Sequence, residues 1–264
     1  MDMLPALGET ALYLDLDGTL VPLAARPEMV RLPASTARLL LHLHQACHGA
    51  VALISGRDRA SLRQACDDLP LVMISSHGAA MHGPQGEPHW HAAMDAAGHR
   101  RLEQAVTALI RPHALVWMER KAHGVAVHFR QRPELGDELH ASLTTLCSEH
   151  PGFSLTRGHC VIELRLAGFD KGLAIARAQQ HAPFAGRRPV MIGDDLTDEA
   201  AFRLVNEQEG VSIRIGPGEP DSAAQFYLRD PAALLALLRQ WLAAELPPSR
   251  PVSHHCPAAH VAAP

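Results

Sequence analysis

Disulfide pairing is what this sequence equips least: 264 residues hold five cysteines (Cys47, Cys66, Cys147, Cys160 and Cys256), an odd number with no Cys-x-x-Cys pair. That usage fits reduced thiols and an expected cytoplasmic location better than an oxidised, stapled scaffold. No apolar run reaches the ~18 residues a membrane-spanning helix needs, so such a span is excluded. The start, Met1-Asp2-Met3-Leu4-Pro5, has neither a basic segment nor an apolar core, and no secretory signal is expected there. Positive charge is also short. Lys and Arg total 24 against 28 Asp and Glu, a formal net charge of −4 with no basic block, which argues against nucleic acid or an anionic membrane as partner. No internal repeat is evident. What is present is an ordinary globular composition, 47% hydrophobic and 20% charged, in a chain long enough for one large domain or two modest ones.

Short apolar runs alternate with helical periodicity. Residues 11–16, 51–54 and 71–74 read as strands buried on both faces, with helices over 33–47 and 58–67 between them. Such β-α-β-α alternation predicts an α/β fold, a doubly wound parallel sheet covered by helices. The rhythm changes near residue 88. A helix (93–110), two strands (116–121 and 124–130), a second helix (134–147) and two further strands (153–157 and 160–166, turning at Arg157-Gly158-His159) read as an inserted α+β unit. From Lys171 the first rhythm returns: helix 172–180, strand 189–192, helix 197–205, strand 211–215 and helix 231–246. The expected division is therefore 1–87 and 169–246 for the larger unit and 88–168 for the insertion. Residues 247–264, rich in Pro and His, read as a disordered tail.

Two carboxylate clusters abut strands. Asp15-Leu16-Asp17-Gly18-Thr19 follows the first, and Gly193-Asp194-Asp195-Leu196-Thr197-Asp198 follows the strand at 189–192. In open parallel sheets ligands sit beyond the carboxyl ends of strands, so the clusters are expected to meet in one crevice. Packed carboxylates repel unless a hard cation neutralises them, and all-oxygen ligands suit Mg²⁺. Ser55-Gly56-Arg57 follows the strand at 51–54 and can hold an anion with its hydroxyl and backbone N–H groups, while Lys171 offers a cation.

In this order these motifs resemble the haloacid dehalogenase superfamily of phosphohydrolases, and the gap between Ser55 and Lys171 is where that superfamily's larger cap is inserted. Within it the chain resembles the trehalose-6-phosphate phosphatases. The residues carrying that narrower match are Ala52 through Arg57, Ser76-His77-Gly78-Ala79, Glu119 with Lys121, His128-Phe129-Arg130, Val161-Ile162-Glu163 and Gly193 through Glu199. One position departs: the family usually has Glu after His-Gly-x, and Ala80 stands there. The resemblance implies a Mg²⁺-dependent phosphatase acting on trehalose 6-phosphate through an aspartyl-phosphate, functionally linked to a trehalose-6-phosphate synthase. Asp15 is the expected nucleophile and Asp17 the general acid and base. Ser55, Gly56 and Lys171 would hold the phosphate; Asp15, Asp194 and the backbone carbonyl of Asp17 would hold the metal, with Asp195 and Asp198 behind them.

Strand period adds to this. Side chains two apart share a face, so Glu119 with Lys121, His128 with Arg130, and Glu163 with Arg165 line charged faces opposite Val125, Val127, Phe129, Ile162 and Leu164. With the resemblance, Glu119, Lys121, Arg130 and Glu163 are the candidate sugar-binding residues. Alternatives are a phosphatase for another sugar phosphate and a non-catalytic sugar-phosphate sensor, the latter at odds with the intact Asp15, Asp17, Lys171 and Asp194 set. His44 and His48 share a helical face, but the Leu39, Leu40, Leu43 stripe sets them beside a core rather than at a metal. Met73 and Trp117 read as packing residues.

Overall fold

The computed structural model describes residues 4–24, 26–92, 95–158, 160–218 and 221–245. The tail expected at 247–264 lies outside the described residues. Five strands predicted from apolar runs form the centre of the larger sheet: β1 (Thr10–Leu14), β2 (Val51–Ile54), β3 (Val72–Ser75), β10 (Arg188–Gly193) and β11 (Val211–Ile215). Every residue of β1, β2, β3 and β11 is buried, as strands covered on both faces require. Three short strands were not read from the sequence: β4 (Ala80–His82), β5 (Pro88–His91) and β12 (Phe226–Leu228). At three or four residues each, with Ala, His and Pro among them, they carry no alternation and exist because a neighbouring edge supplies their hydrogen bonds.

The order is β12-β11-β10-β1-β2-β3-β4-β5, parallel from β12 through β3 and antiparallel at β4 and β5. The chain steps outward from β1 to β3, then returns to the other side of β1 with β10. The β1/β10 junction is thus the point where strand order reverses, and the crevice outside it is where an α/β sheet binds its ligand. Register fixes the crevice: Leu14 pairs with both Ile192 and Leu53, so the residues after β1, β10 and β2 leave the sheet at one edge. Helices α1 (Ala34–Ala46) and α7 (Pro231–Glu245) pack together, as do α5 (Lys171–Ala178) and α6 (Glu199–Glu207), and α2 (Arg59–Ala65) packs on β3.

A second sheet, antiparallel throughout, holds β6 (Trp117–Lys121), β7 (Gly124–His128), β8 (Phe153–Gly158) and β9 (Val161–Leu166) in the order β6-β7-β9-β8. Its apolar face is covered by α3 (Ala96–Ile110) and α4 (Gly136–Ser148), whose Leu102, Val106, Leu139 and Leu143 are buried against Val125, Val127, Ile162 and Leu164. Each such side chain contributes roughly 1.5–3 kcal/mol by leaving water, so this unit has its own core, separate from that of the larger sheet. Two local readings change. The strand at 88–91, which the sequence assigned to the insertion, pairs with β4 in the larger sheet. The turn read at 157–159 falls later, because Arg157 and Gly158 still pair with Ile162 and Val161 in β8.

Candidate active site

Three carboxylates and one ammonium occupy the crevice outside β1 and β10. The Asp15 amide donates to Ile192 O at 2.9 Å, continuing the ladder one residue past β1 and directing this buried side chain into the gap. Lys171, the first residue of α5, is equally buried; its Nζ donates to Asp15 Oδ1 at 2.8 Å and to Asp198 Oδ1 at 2.6 Å. The other Asp198 oxygen accepts the amides of Asp194 (3.0 Å) and Asp195 (3.1 Å). Both Asp198 oxygens are therefore engaged, and the residue shapes the 193–198 loop from below. Asp195 caps the turn that starts at Leu196, accepting from Thr197 N at 2.8 Å. Gly18 makes the close approach between the two clusters feasible. It has φ +81°, and a Cβ on it would lie 2.0 Å from Asp194 Oδ2.

Carboxylate oxygens of Asp15, Asp194 and Asp198 lie within 4.8 Å of one another, the only such group of His, Cys, Asp or Glu side chains among the described residues. His44 and His48 belong to none. Burial and the neighbouring carboxylates push Asp15 well above the usual carboxylate range despite Lys171, and they push Asp194 up to about 7. One ammonium does not neutralise this cluster. Asp15 accepts from Lys171 on Oδ1 and Asp194 from Thr19 on Oδ1 at 3.2 Å, which leaves Oδ2 of each without a hydrogen bond among the described residues. A cluster of carboxylate oxygens short of positive charge fits a hard divalent cation such as Mg²⁺.

The Asp17 side chain turns away from this cluster. Arg57 grips it with both forks, Nε to Oδ2 at 2.6 Å and Nη2 to Oδ1 at 2.7 Å, and steadies itself through Nη1 on Ser61 Oγ at 2.9 Å. The reading of Asp17 as a metal ligand concerned its backbone carbonyl, which this grip does not involve. Ser55 is buried, and its Oγ accepts the Arg57 amide at 3.2 Å.

Across the crevice stands the charged face of the second sheet. Register lines Glu119, Ala126, Glu163 and Thr156 up in one row across its four strands, the small Ala126 separating the two glutamates. Each glutamate has its own partners. Glu163 receives Lys121 Nζ on Oε1 and lies 3.0 Å from His77 Nε2 through Oε2; Glu119 Oε2 lies 2.8 Å from His128 Nε2. Burial alone would raise the Glu163 pKa, but Lys121 and His77 overcome it and hold the carboxyl far below its ordinary value. Glu119 moves the same way through His128 and Lys121. Burial likewise works against the Lys121 charge, yet Glu163 and Glu119 raise its pKa. Both faces line one cavity of about 680 Å³, which includes every candidate residue named from the sequence except Asp198, buried behind it.

Three contributors escaped the sequence reading. Arg57 and His77 stood inside the motifs, but their partners Asp17 and Glu163 are 40 and 86 positions away, and no local signal links them. Trp117, read as packing, is half exposed and stacks on His128 with ring centroids 4.1 Å apart.

The family model for trehalose-phosphatases matches residues 13–232. A probable trehalose-phosphate phosphatase of Sinorhizobium fredii is 39% identical over 219 residues, covering 83% of this chain and 82% of the relative. The trehalose-6-phosphate phosphatase of Escherichia coli is 36% identical over 208 residues, 79% of this chain and 78% of that one. Among solved structures, the C-terminal domain of the Candida albicans trehalose-6-phosphate phosphatase superposes with a TM-score of 0.78 at 21% identity, covering 89% of this chain and 93% of that one. A haloacid dehalogenase superfamily phosphatase from Bacteroides thetaiotaomicron gives 0.63 at 17% identity, covering 88% and 94%. At these identities the structural likenesses speak for the fold, the haloacid dehalogenase architecture. The family rests on the sequence matches: with the model spanning most of the chain and relatives above 30% identity along most of their own length, this chain belongs to the trehalose-phosphatase family of phosphoric monoester hydrolases.

Proposed function

We propose that this enzyme hydrolyses trehalose 6-phosphate to trehalose and phosphate, with Mg²⁺ as cofactor and Asp15 as nucleophile. The observation that carries the reading is the single cavity, about 680 Å³, with metal-type carboxylates on one wall and a charged, hydrogen-bonding sheet face on the other. That volume suits a phosphorylated disaccharide, and the names of the matched relatives point to the same substrate.

Bound at Asp15, Asp194 and the Asp17 carbonyl, Mg²⁺ would supply charge neutralisation for the phosphate and the attacking carboxylate. An Asp15 oxygen attacks phosphorus and forms an acyl phosphate as the bond to the sugar oxygen breaks. Asp17, once it has left Arg57 and taken up a proton, gives that proton to the departing oxygen. Asp17, now the base, then takes a proton from water, whose oxygen attacks phosphorus and returns Asp15 to its carboxylate as inorganic phosphate leaves. Lys171 offsets the charge on Asp15 throughout, and Ser55 with the Gly56 amide receives phosphate oxygens. In the described arrangement both Asp17 oxygens accept from Arg57, so the proton transfer requires Asp17 to leave this grip.

The α+β unit from α3 through β9 acts as the cap, with Glu119, Lys121, Arg130 and Glu163 taking the sugar hydroxyls. Held ionised by these partners, the two glutamates are strong acceptors for such hydroxyls. Ala80 is buried in β4 and lies outside the cavity lining, so selectivity is assigned to the β6, β7 and β9 face. A partner supplying trehalose 6-phosphate, a synthase, follows from the substrate, and a cytoplasmic location suits it; no described helix is long and apolar enough to cross a membrane. The test is phosphate release across a panel of sugar phosphates, with and without Mg²⁺. Fast release from trehalose 6-phosphate that depends on Mg²⁺ is expected, and preference for another sugar phosphate would reassign the substrate.

A further inference from the structure

His77 is placed where three parts of the molecule converge. Its amide donates to Ser55 O at 3.1 Å and the Ser76 amide donates to Arg57 O at 2.7 Å, so the loop after β3 is sewn to the phosphate-side loop after β2. The ring fills the space above Gly56, where a Cβ would lie 2.4 Å from His77 Nε2. Gly78 lets the same loop press on the start of α5, the helix that carries Lys171; a Cβ there would lie 2.6 Å from Asp170 O. From this position the ring reaches across to Glu163 on β9, Nε2 to Oε2 at 3.0 Å. Ser76 and His77 both adopt left-handed backbone conformations, φ 51° and 53°, which non-glycine residues hold only where the surroundings impose them.

The chemistry of the contact is directional. A carboxylate only accepts, so His77 Nε2 carries the proton and donates. Nδ1 is then the bare acceptor, buried without a hydrogen bond among the described residues. Burial lowers the pKa of His77, and the positive charges of Arg165 and Lys171 act in the same direction against the pull of Glu163, so the donor is a neutral imidazole. Lys121 holds Oε1 of Glu163 and His77 holds Oε2, which together fix the carboxylate plane.

We infer that His77 is a positioning residue that couples capture of the leaving sugar to the phosphate loop by orienting Glu163 from Gly56. The coupling rests on the sugar-binding role proposed above for Glu163. Without the Nε2 donor, Glu163 keeps its charge through Lys121 but loses its fixed plane. The loss should appear in capture of the disaccharide rather than in phosphoryl chemistry.

The experiment is a double-mutant cycle on the Mg²⁺-supplemented enzyme with wild type, His77→Leu, His77→Gln, Glu163→Gln and the His77→Leu/Glu163→Gln pair. Each protein is assayed on trehalose 6-phosphate and on p-nitrophenyl phosphate. His77→Leu should lose about tenfold in kcat/KM on trehalose 6-phosphate, mainly through KM, as expected for a lost hydrogen bond to a charged group. The aryl phosphate should stay within about twofold, and the pair should be no worse than Glu163→Gln by more than about twofold. His77→Gln, which returns an N–H donor, should recover most of the loss. Additive losses in the pair, or equal losses on both substrates that Gln does not rescue, overturn the coupling while leaving the Glu163 role standing. Unchanged selectivity in Glu163→Gln overturns the sugar-binding role itself and the coupling with it.

Discussion

Carboxylates are the working groups on both sides of the cavity, yet the two sides treat them in opposite ways. In the crevice Asp15, Asp194 and Asp198 share one cation, Lys171, and burial pushes the first two above their ordinary range. On the sheet face Glu163 and Glu119 each have a cationic or N–H partner, and both are held below theirs. The difference follows from how many partners each carboxylate has. A site short of positive charge stores electrostatic cost until a cation offsets it, whereas a site already balanced presents permanently ionised acceptors to neutral hydroxyls. The same residue type thus serves phosphoryl transfer on one wall and recognition on the other.

The comparison breaks most visibly at Asp15. Asp15→Asn should lower turnover on every phosphate ester by about 10⁴-fold or more and retain cooperative unfolding, because Lys171 keeps Asp198 as a partner. Phosphate release near the wild-type rate from the folded variant would remove Asp15 from the nucleophile's role. Chelation by EDTA should stop turnover of trehalose 6-phosphate and of an aryl phosphate alike, with Mg²⁺ restoring both. Recovery with Zn²⁺ but not Mg²⁺ would contradict the all-oxygen site.

The sheet face should break selectively. Glu119→Ala should cost about tenfold in kcat/KM on trehalose 6-phosphate, the weight of one charged hydrogen-bond acceptor, with much less change on the aryl phosphate. A common fall on both substrates would place Glu119 in stability instead.

The smallest effect expected is on stability against pH. Burial holds the folded His77 pKa below its unfolded value, about 6.5. Below that pH the unfolded chain binds a proton the folded protein refuses, so stability is full above about 6.5 and declines as pH falls toward the folded pKa. The slope from this one group is at most about 1.4 kcal/mol per pH unit. Denaturant unfolding of wild type and His77→Leu between pH 5 and 7.5 measures it, and a decline equally steep in the variant would assign it to other groups.

Much of this architecture was legible in the chain itself. Continuous apolar runs marked the five central strands, because a strand covered on both faces has no reason to alternate. The Asp15 and Asp194 clusters were legible because the end of a parallel strand is where an α/β sheet exposes polar groups, and the two-residue period by itself sorted Glu119, Lys121 and Glu163 from Val125, Val127 and Ile162. β4, β5 and β12 were not legible, since three or four residues without alternation become strands only when an edge is offered to them. Nor were the partners that set each carboxylate's behaviour. Whether an aspartate is gripped by Arg57 or crowded by Asp194, and whether Glu163 meets Lys121 alone or His77 as well, depends on side chains brought together from positions far apart in the chain. Hydrogen bonds and Coulomb interactions act over a few ångströms of space and are blind to sequence separation, so residue types and their local order came from the sequence, while charge balance and orientation were decided only by the tertiary structure.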